Sequence, residues 1–270
     1  MKKTKHIWHR MITLLSLTVM MILVLGISVS AAGTKKVSMK KIATNQYQYI
    51  GNLTDSTTTV YHKIKFNKAG CIGVSGASIN ASTGQYGSMS IVLCDKNLKP
   101  LEAKKGTAVS ASKTAIYGIN KGTYYIKVSK QKKYVLGLSY ASVPNNGGSS
   151  KSKAWQLPKQ KKIYPGILAA GESSGKADWF RFKVTKTKKL QLSIENAVNG
   201  TVNFYVYGPG LSSKGALIRM SANSEGVYTI VNKYGTPIKA KKGTYYIKVV
   251  RNSNSKKASG IYSIKWALTS

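Results

Sequence analysis

Residues 121–128 of this 270-residue chain have the sequence KGTYYIKV, and residues 242–249 repeat the same eight letters. Each copy is typical of a turn followed by a β-strand, because Lys-Gly favours a turn and aromatic or β-branched residues then alternate with polar ones. The copies are 121 residues apart, a separation that matches a whole domain and is too long for a solenoid repeat. The chain is therefore predicted to be a tandem duplication.

Alternation within the repeat also predicts which side chains face a core. Successive side chains of a strand point to opposite faces of its sheet. Ile126 and Ile247 are expected to face inward, together with the first tyrosine of each copy. The side chains expected to face outward, where they could meet a ligand, are Tyr125, Lys127, Tyr246 and Lys248.

The rest of the sequence indicates short strands separated by turns, and no window shows an apolar stripe with helical spacing. A first domain is predicted at residues 37–143 and a second at 154–270, with PNNGGSSKSK at 144–153 as a flexible linker by composition. The second domain retraces the first, since YHKIKF at 61–66 corresponds to WFRFKV at 179–184. Units of this size with many short strands predict an all-β fold of two tandem antiparallel β-sandwiches.

The first 32 residues are typical of an export signal. Four basic residues in the first ten are followed by an apolar run at 11–27 and by small residues at 28–32. The mature protein is expected to begin near Ala32 or Gly33, outside the cytoplasm, with no further membrane span. The alternative is an uncleaved anchor, because the run is only slightly shorter than the roughly 20 residues that span a bilayer.

The chain is strongly basic, with 43 Lys and Arg against seven Asp and Glu and a net charge of +36. Cleavage of the signal would leave 39 basic residues and a charge of +32. Such a charge attracts polyanions and could retain a secreted protein at the cell surface. Nucleic acid is one such polyanion but is not favoured, because the lysines come in scattered pairs beside turn residues. A solvated, aggregation-resistant surface explains the same pattern.

Several stretches of the second domain resemble the bacterial pre-peptidase C-terminal domain. They are GESSGKADWFRFKV at 171–184, FYVYGPG at 204–210, the second KGTYYIKV and GIYSI at 260–264. The first domain matches less well, since Val60-Tyr61 replaces Asp178-Trp179. The resemblance implies jelly-roll-like sandwiches of the kind appended to secreted peptidases. In clostridial collagenases similar domains bind collagen, and some bind calcium. No peptidase segment accompanies the two domains in this sequence.

Catalysis is not expected. Of three histidines only His62 follows the signal, and it lies inside a predicted strand at the position of Phe180, so a structural role is favoured over a triad. A hydrolase with an unrecognised carboxylate pair is the alternative. The acidic residues are scattered singly: Asp55, Asp95, Glu102, Glu172, Asp178, Glu195 and Glu225.

No cofactor is expected, with calcium as the one candidate ion. Calcium prefers six to eight oxygen ligands, and Glu172 and Asp178 flank the Gly/Ser-rich turn where related domains hold it. The alternative is that Asp178 hydrogen-bonds that turn. Cys71 and Cys94 either form a disulfide, which export permits, or are two buried free thiols.

The tyrosines suggest the function. Tyr205 and Tyr207 are predicted to face outward beside lysines, a combination that suits glycans, collagen-like chains or acidic polymers. The sequence therefore predicts a secreted non-catalytic binding protein for an extracellular polymer, which could be an anionic glycan, a cell-wall polymer or a collagen-like protein. Cross-strand packing without a ligand is the alternative for the tyrosines, and a structural surface protein is the alternative for the whole chain.

Overall fold

The computed structural model describes residues 28–29, 34–53, 59–102, 106–231 and 236–269. The predicted signal segment and its cleavage site lie outside these residues, apart from Ser28 and Val29. The chain divides into two compact units, Met1–Ser142 and Val143–Ser270. Within the described ranges, no helix is long and apolar enough to cross a membrane.

The first unit contains two sheets. One has the strand order β1-β4-β12-β6-β10, with β3 beside β4 and β7 beside β6, and the other has the order β2-β5-β11-β8-β9. Pairing is antiparallel except between β1 and β4 and between β2 and β5. The strands are β1 (Ser28–Val29), β2 (Thr34–Ser38), β3 (Lys40–Ala43), β4 (Gln46–Leu53), β5 (Thr59–Phe66), β6 (Gly70–Ile79), β7 (Tyr86–Gly87), β8 (Met89–Cys94), β9 (Thr107–Val109), β10 (Ala115–Ile119), β11 (Gly122–Ser129) and β12 (Lys133–Ser142).

The second unit also contains two sheets, with strand orders β13-β15-β21-β17-β18 and β14-β22-β16-β19, and β20 pairs with β16. One turn of 3₁₀ helix lies at Ser253–Ser255. The strands are β13 (Trp155–Gln156), β14 (Tyr164–Leu168), β15 (Ala177–Val184), β16 (Lys188–Val198), β17 (Val202–Tyr207), β18 (Ala216–Met220), β19 (Ser224–Thr229), β20 (Lys239–Ala240), β21 (Gly243–Arg251) and β22 (Gly260–Thr269).

The repeated octapeptide occupies the same place in both units. In the first unit it forms β11, between β5 and β8, and in the second it forms β21, between β15 and β17. Ile126 and Ile247 are fully buried, as alternation predicted. In the second unit, apolar side chains from both sheets form one core, in which Phe182 stacks on Trp266 with 4.6 Å between ring centroids. The predicted all-β fold of antiparallel sandwiches is confirmed.

Residues 144–153, interpreted from composition as a flexible linker, hydrogen-bond to the second unit. Gly148 and Trp179 exchange two backbone hydrogen bonds, with N–O distances of 3.0 and 2.9 Å. At Gly147 a Cβ atom would lie only 2.3 Å from Cβ of Asp178. The glycines that suggested a linker therefore permit close approach of this segment to β15. The unit boundary falls before Val143, so the segment belongs to the second unit.

Candidate functional site

The outer face of the β13-β15-β21-β17-β18 sheet carries a cluster of aromatic and basic side chains. Trp179, Lys248 and Tyr205 form one row across three adjacent strands, because Lys248 is the register partner of both other residues. Tyr246 is likewise the partner of both Arg181 and Tyr207 in the next row. The alternate residues of these strands, such as Phe180 and Ile247, fill the core. We call the cluster the aromatic–lysine face; its members are Lys151, Trp179, Tyr205, Tyr207, Tyr246 and Lys248.

Rings and ammonium groups contact each other across this face. Trp179 and Tyr207 reach over β21 and stack, with centroids 5.5 Å apart and planes inclined by 26°. The Nζ atom of Lys248 lies 5.6 Å from the Trp179 ring centroid. Lys151 Nζ lies 5.4 Å from the ring of Tyr207 and 5.0 Å from that of Tyr246. Each cation–π contact at an exposed site stabilises by about 0.5–1 kcal/mol, so the cluster holds its side chains in place without a ligand.

The surroundings of the aromatic–lysine face are positively charged. Arg181, Lys183 and Arg219 are exposed on the same side of the sheet. Among the described outward residues of β15, β21, β17 and β18, none is acidic. Burial raises the pKa of Tyr207 above its ordinary value of 10, so its hydroxyl stays neutral. The face can therefore offer ring surfaces together with cations that no carboxylate of these strands neutralises.

The corresponding face of the first unit is smaller. Lys127 lies opposite Tyr61, with its Nζ 6.0 Å from the ring centroid. Tyr125 lies on the outer face, as alternation predicts, but it is only 8% exposed, so the prediction that it is accessible to a ligand is corrected. Its ring lies edge-on to Tyr61 at 6.3 Å, and its register partner Cys94 is also buried. The outer face is thus covered at this end of β11.

Four of the six tyrosines and lysines predicted as ligand-binding lie together in the second unit: Tyr205, Tyr207, Tyr246 and Lys248. Sequence reasoning missed Trp179, Lys151 and Tyr61 as members of such faces. Alternation in WFRFKV would have predicted that Trp179 faces outward, because adjacent residues face opposite sides and Phe180 lies in the core. The sequence gives no indication of Lys151, because it follows the GGSS stretch, which predicts no strand. Its contact with Tyr246 is formed only when the chain folds.

Glu172, one of the two predicted calcium ligands, lies beside cationic side chains. Its carboxylate is paired with Lys176 and lies 3.6 Å from Arg251 Nη2. The buried guanidinium of Arg251 donates to the carbonyl oxygens of Ala169 at 2.6 Å and Ala258 at 2.7 Å. Burial lowers the pKa of Arg251, and the nearby Glu172 carboxylate opposes this shift. The positive charge that a calcium ion would bring is therefore already supplied by the chain.

Asp178, the other predicted calcium ligand, is 2% exposed. Its Oδ2 accepts a 2.7 Å hydrogen bond from the hydroxyl of Tyr262, where the sequence had suggested a bond to the turn. Burial raises the pKa of Asp178 to about 6, which disfavours the charged form that calcium requires. Within the part of the chain that the structure describes, no three His, Cys, Asp or Glu residues are grouped as a metal site.

The histidine and the two cysteines that follow the predicted signal are buried. His62 Nε2 lies 2.8 Å from the hydroxyl of Tyr134, its Nδ1 has no hydrogen-bond partner, and burial lowers its pKa to about 3. Cys71 and Cys94 are free thiols on strands of different sheets, so the disulfide alternative is corrected. Burial raises the pKa of Cys71 to about 12 and that of Cys94 to about 11, which leaves both thiols protonated and poorly nucleophilic.

Two carboxylates are cross-strand partners on the other sheet of the second unit. Glu195 on β16 lies directly opposite Glu225 on β19. The hydroxyl of Ser263, on the neighbouring strand β22, donates to Glu195 Oε2 at 3.3 Å. This pair belongs to a different sheet from the aromatic–lysine face, so the two features are separate.

No protein-family model and no curated protein matches this sequence. Among solved structures, the chain is similar to the pre-peptidase C-terminal domain of collagenase from Bacillus anthracis, with 19% identity over 42% of this chain and 93% of that one and a TM-score of 0.30. It is also similar to a periplasmic inhibitor of g-type lysozyme from Salmonella Typhimurium, with 22% identity, 43% and 99% coverage and a TM-score of 0.30. A tandem CBM22 domain from Paenibacillus barcinonensis gives 8% identity, 83% and 87% coverage and a TM-score of 0.23.

Proposed function

We propose that this chain is a secreted, non-catalytic protein that binds an anionic extracellular polymer through the aromatic–lysine face. One observation carries the proposal: four aromatic side chains and two lysines share the outward face of one sheet and contact each other there, outside the core.

The chemistry of the face suits a charged chain of sugar rings. Aromatic side chains such as Trp179 and Tyr246 present flat apolar surfaces with polar edges, on which the apolar face of a sugar ring can stack. Lys151 and Lys248 lie against these rings, where their ammonium groups can pair with sulfate, phosphate or carboxylate groups. The net charge of +32 on the mature chain adds a long-range attraction that raises the rate of encounter with such a polymer.

The state of the nucleophilic groups supports a non-catalytic role. His62 is buried and neutral, and the two cysteines are buried and protonated. Nucleophilic catalysis requires an activated nucleophile within reach of a base and accessible to substrate. Secretion is supported by the sequence of residues 1–32 alone, and it is tested by sequencing the N-terminus of exported protein, which should begin near Ala32.

Heparin affinity, measured at several salt concentrations, tests the proposal. The full chain should bind, and the logarithm of its affinity should fall as the logarithm of salt concentration rises, because bound lysines displace counterions. Trp179→Ala should lower the affinity by about fivefold while keeping the charge, which corresponds to the loss of about 1 kcal/mol of ring contact.

Tyr86→Ala is the matched control, because Tyr86 is 71% exposed and lies on β7 of the first unit, which is not part of the sheet that carries the aromatic–lysine face. This variant should bind like the unchanged chain. Equal losses in both variants, or an affinity that ignores salt, would overturn the proposal. A chain that does not bind heparin at all would favour the structural surface protein.

A further inference from the structure

The first unit repeats the central pair of the aromatic–lysine face. Lys36, Tyr61 and Lys127 form one row across β2, β5 and β11, because Tyr61 is the register partner of both lysines. In the second unit, the corresponding pair is Trp179 opposite Lys248. In each unit the lysine Nζ lies at a similar distance from the aromatic ring centroid, 6.0 Å in the first and 5.6 Å in the second.

The two rows are equivalent by position as well as by composition. Both sheets begin with a strand that pairs in parallel with the next one, β2 with β5 and β13 with β15, and both continue with three antiparallel strands. Strands β5 and β15 share the same alternation of buried and accessible residues. Lys127 and Lys248 are the same letter of the repeated octapeptide. The duplication has therefore kept an aromatic ring beside this lysine, although the ring changed between Tyr and Trp.

The surroundings of the first row have the same charge. Lys36, Lys63 and Lys65 are exposed on this side of the sheet. The described outward residues of β2, β5, β11, β8 and β9 include no acidic side chain. The row lacks some of the aromatic surface of its counterpart, because Tyr125 is buried and Val92 takes the place that Tyr205 has beside Lys248.

We infer that Lys36, Tyr61 and Lys127 form a second, weaker site for the same anionic polysaccharide, so that one chain binds the polymer through two sites. The inference rests on the proposed function and assigns it to both units. The charged sugars of such a polymer repeat along its length, so the two sites meet the same chemistry.

Calorimetry on the full chain with two heparin probes, a hexasaccharide and the long polymer, tests this inference. The hexasaccharide should bind with a stoichiometry of two per chain. Tyr61→Ala should reduce this to one and leave the tighter site unchanged, and Trp179→Ala should weaken the tighter site about fivefold. Affinity for the long polymer should fall about fivefold in Trp179→Ala and less in Tyr61→Ala, because each variant weakens one of the two sites.

Three further variants separate loss of a site from loss of charge or of folding. Tyr61→Trp copies the second unit and should tighten the weaker hexasaccharide site about threefold or more, a gain that misfolding cannot produce. Lys127→Met should weaken that site more than Lys65→Met. The control removes the same charge from an exposed position on β5, on the same face of the same sheet. Equal effects of the two lysine variants would overturn the site.

The outcomes distinguish the inference from the proposed function. A stoichiometry of one that is sensitive to Trp179→Ala and insensitive to Tyr61→Ala overturns the inference and supports the proposed function. A stoichiometry and affinities that neither aromatic variant changes overturn both. Binding of single-stranded DNA with the same stoichiometry and equal or higher affinity than the hexasaccharide would overturn the assignment of a polysaccharide as the ligand.

Discussion

Tyr262 donates a 2.7 Å hydrogen bond to the carboxyl group of buried Asp178 in the second unit. Its counterpart in the first unit is Tyr134, whose hydroxyl lies 2.8 Å from Nε2 of buried His62. Desolvation shifts the pKa of each partner towards its neutral form, to about 6 for Asp178 and to about 3 for His62. Each unit therefore has a buried tyrosine hydroxyl that hydrogen-bonds to a titratable group. That group is an acid in the second unit and a base in the first.

The two tyrosines are equivalent because each lies over a glycine of the neighbouring strand. A Cβ atom at Gly51 would lie 2.4 Å from the Tyr134 ring, and one at Gly166 would lie 2.3 Å from the Tyr262 ring. Strand pairing places Tyr134 directly opposite Gly51, and it places Tyr262 directly opposite Gly166. What differs is the residue that meets the hydroxyl.

The first prediction concerns the second unit between pH 4 and pH 7. The pKa of Asp178 is raised from 3.8 to about 6 by burial, so the folded state binds this proton more tightly than the unfolded state. The stabilisation is complete below about pH 4 and is lost as the pH rises through 6. This group should lower the free energy of unfolding by about 3 kcal/mol over that interval. Asp178→Asn, which keeps an acceptor for Tyr262, should abolish the decrease.

Tryptophan fluorescence during urea unfolding provides the measurement. The described tryptophans, Trp155, Trp179 and Trp266, all belong to the second unit, so the signal reports that unit. The charged neighbours Lys176 and Arg251 are unchanged in the variant. An equal decrease with pH in the unchanged chain and in Asp178→Asn would show that another group causes it.

The first unit should respond to pH in the opposite direction. The pKa of His62 is lowered from 6.5 to about 3 by burial, so below pH 6.5 the unfolded state binds a proton that the folded state excludes. This contribution to stability is present above pH 6.5 and is lost as the pH falls towards 3, by about 3 kcal/mol at pH 4. The double variant His62→Phe/Tyr134→Phe should lose this acid sensitivity and leave no buried hydroxyl without a partner.

Hydrogen exchange of peptides from β11, measured between pH 4 and pH 7 and corrected for intrinsic rates, follows the first unit alone. The single variant Tyr134→Phe serves as control, because it removes the hydroxyl and retains the histidine. It should stay acid-sensitive. If the double variant is as acid-sensitive as this control, His62 is not the responsible group.

Gly147→Ala tests whether residues 144–153 are a linker or part of the second unit. The added methyl group would lie 2.3 Å from Cβ and 2.4 Å from Cγ of Asp178, so the segment or the strand must shift. Such overpacking costs about 1–3 kcal/mol. Gly175→Ala is the control, because its nearest neighbour would be Ser173 Oγ at 3.9 Å. Thermal unfolding that treats both variants alike would support a free linker.

Local pattern was sufficient to predict the strands and most of their faces. The octapeptide alternates with period two, and this alone placed Ile126 and Ile247 inside. Alternation depends only on neighbouring residues, so no knowledge of the tertiary structure was needed. The same rule was wrong for the exposure of Tyr125, because burial on an outer face depends on distant residues such as Tyr61 and Cys94.

Contacts between distant segments could not be predicted from the sequence. Lys151 meets Tyr246 across 95 positions, which the sequence does not encode by any spacing. Arg251 is the last residue of β21, and its side chain contacts Glu172 and Ala169. The sequence places two carboxylates near one turn, but one of the two cations beside Glu172, Arg251, lies about eighty residues later. For this reason the sequence suggests a calcium site where the structure has a guanidinium.

Calcium should therefore leave the stability of the second unit unchanged. The Glu172 carboxylate already faces Arg251 and Lys176, and Asp178 is buried against Tyr262. Addition of millimolar calcium or of EDTA should shift the tryptophan-monitored melting temperature by less than 1 °C, since a ligand that does not bind the folded state cannot stabilise it. Arg251→Gln should destabilise the unit, because it leaves buried carbonyl oxygens without their charged donor and removes one of the two cations beside Glu172. Stabilisation of the unchanged chain by calcium would contradict this assignment.

The two second tyrosines of the octapeptide should behave differently when each is replaced by alanine. Tyr125 is 8% exposed and packs against Tyr61, so Tyr125→Ala should cost about 3 kcal/mol of stability in the first unit, as buried aromatic residues do. Tyr246 is half-buried on the aromatic–lysine face, and the described cation that lies over its ring is Lys151. Tyr246→Ala should therefore cost less than about 1 kcal/mol of stability and should lower heparin affinity several-fold.

Urea unfolding and heparin affinity are measured on both variants. Tyr125→Ala should show the larger loss of stability, and Tyr246→Ala should show a loss of heparin affinity. The identical letters of the repeat make the comparison clean, since the local sequence around each tyrosine is the same over eight residues. A large loss of stability in Tyr246→Ala with unchanged heparin affinity would mean that this tyrosine serves the sheet alone. In that case the repeat would be architectural in both units, and the polymer would have to bind elsewhere.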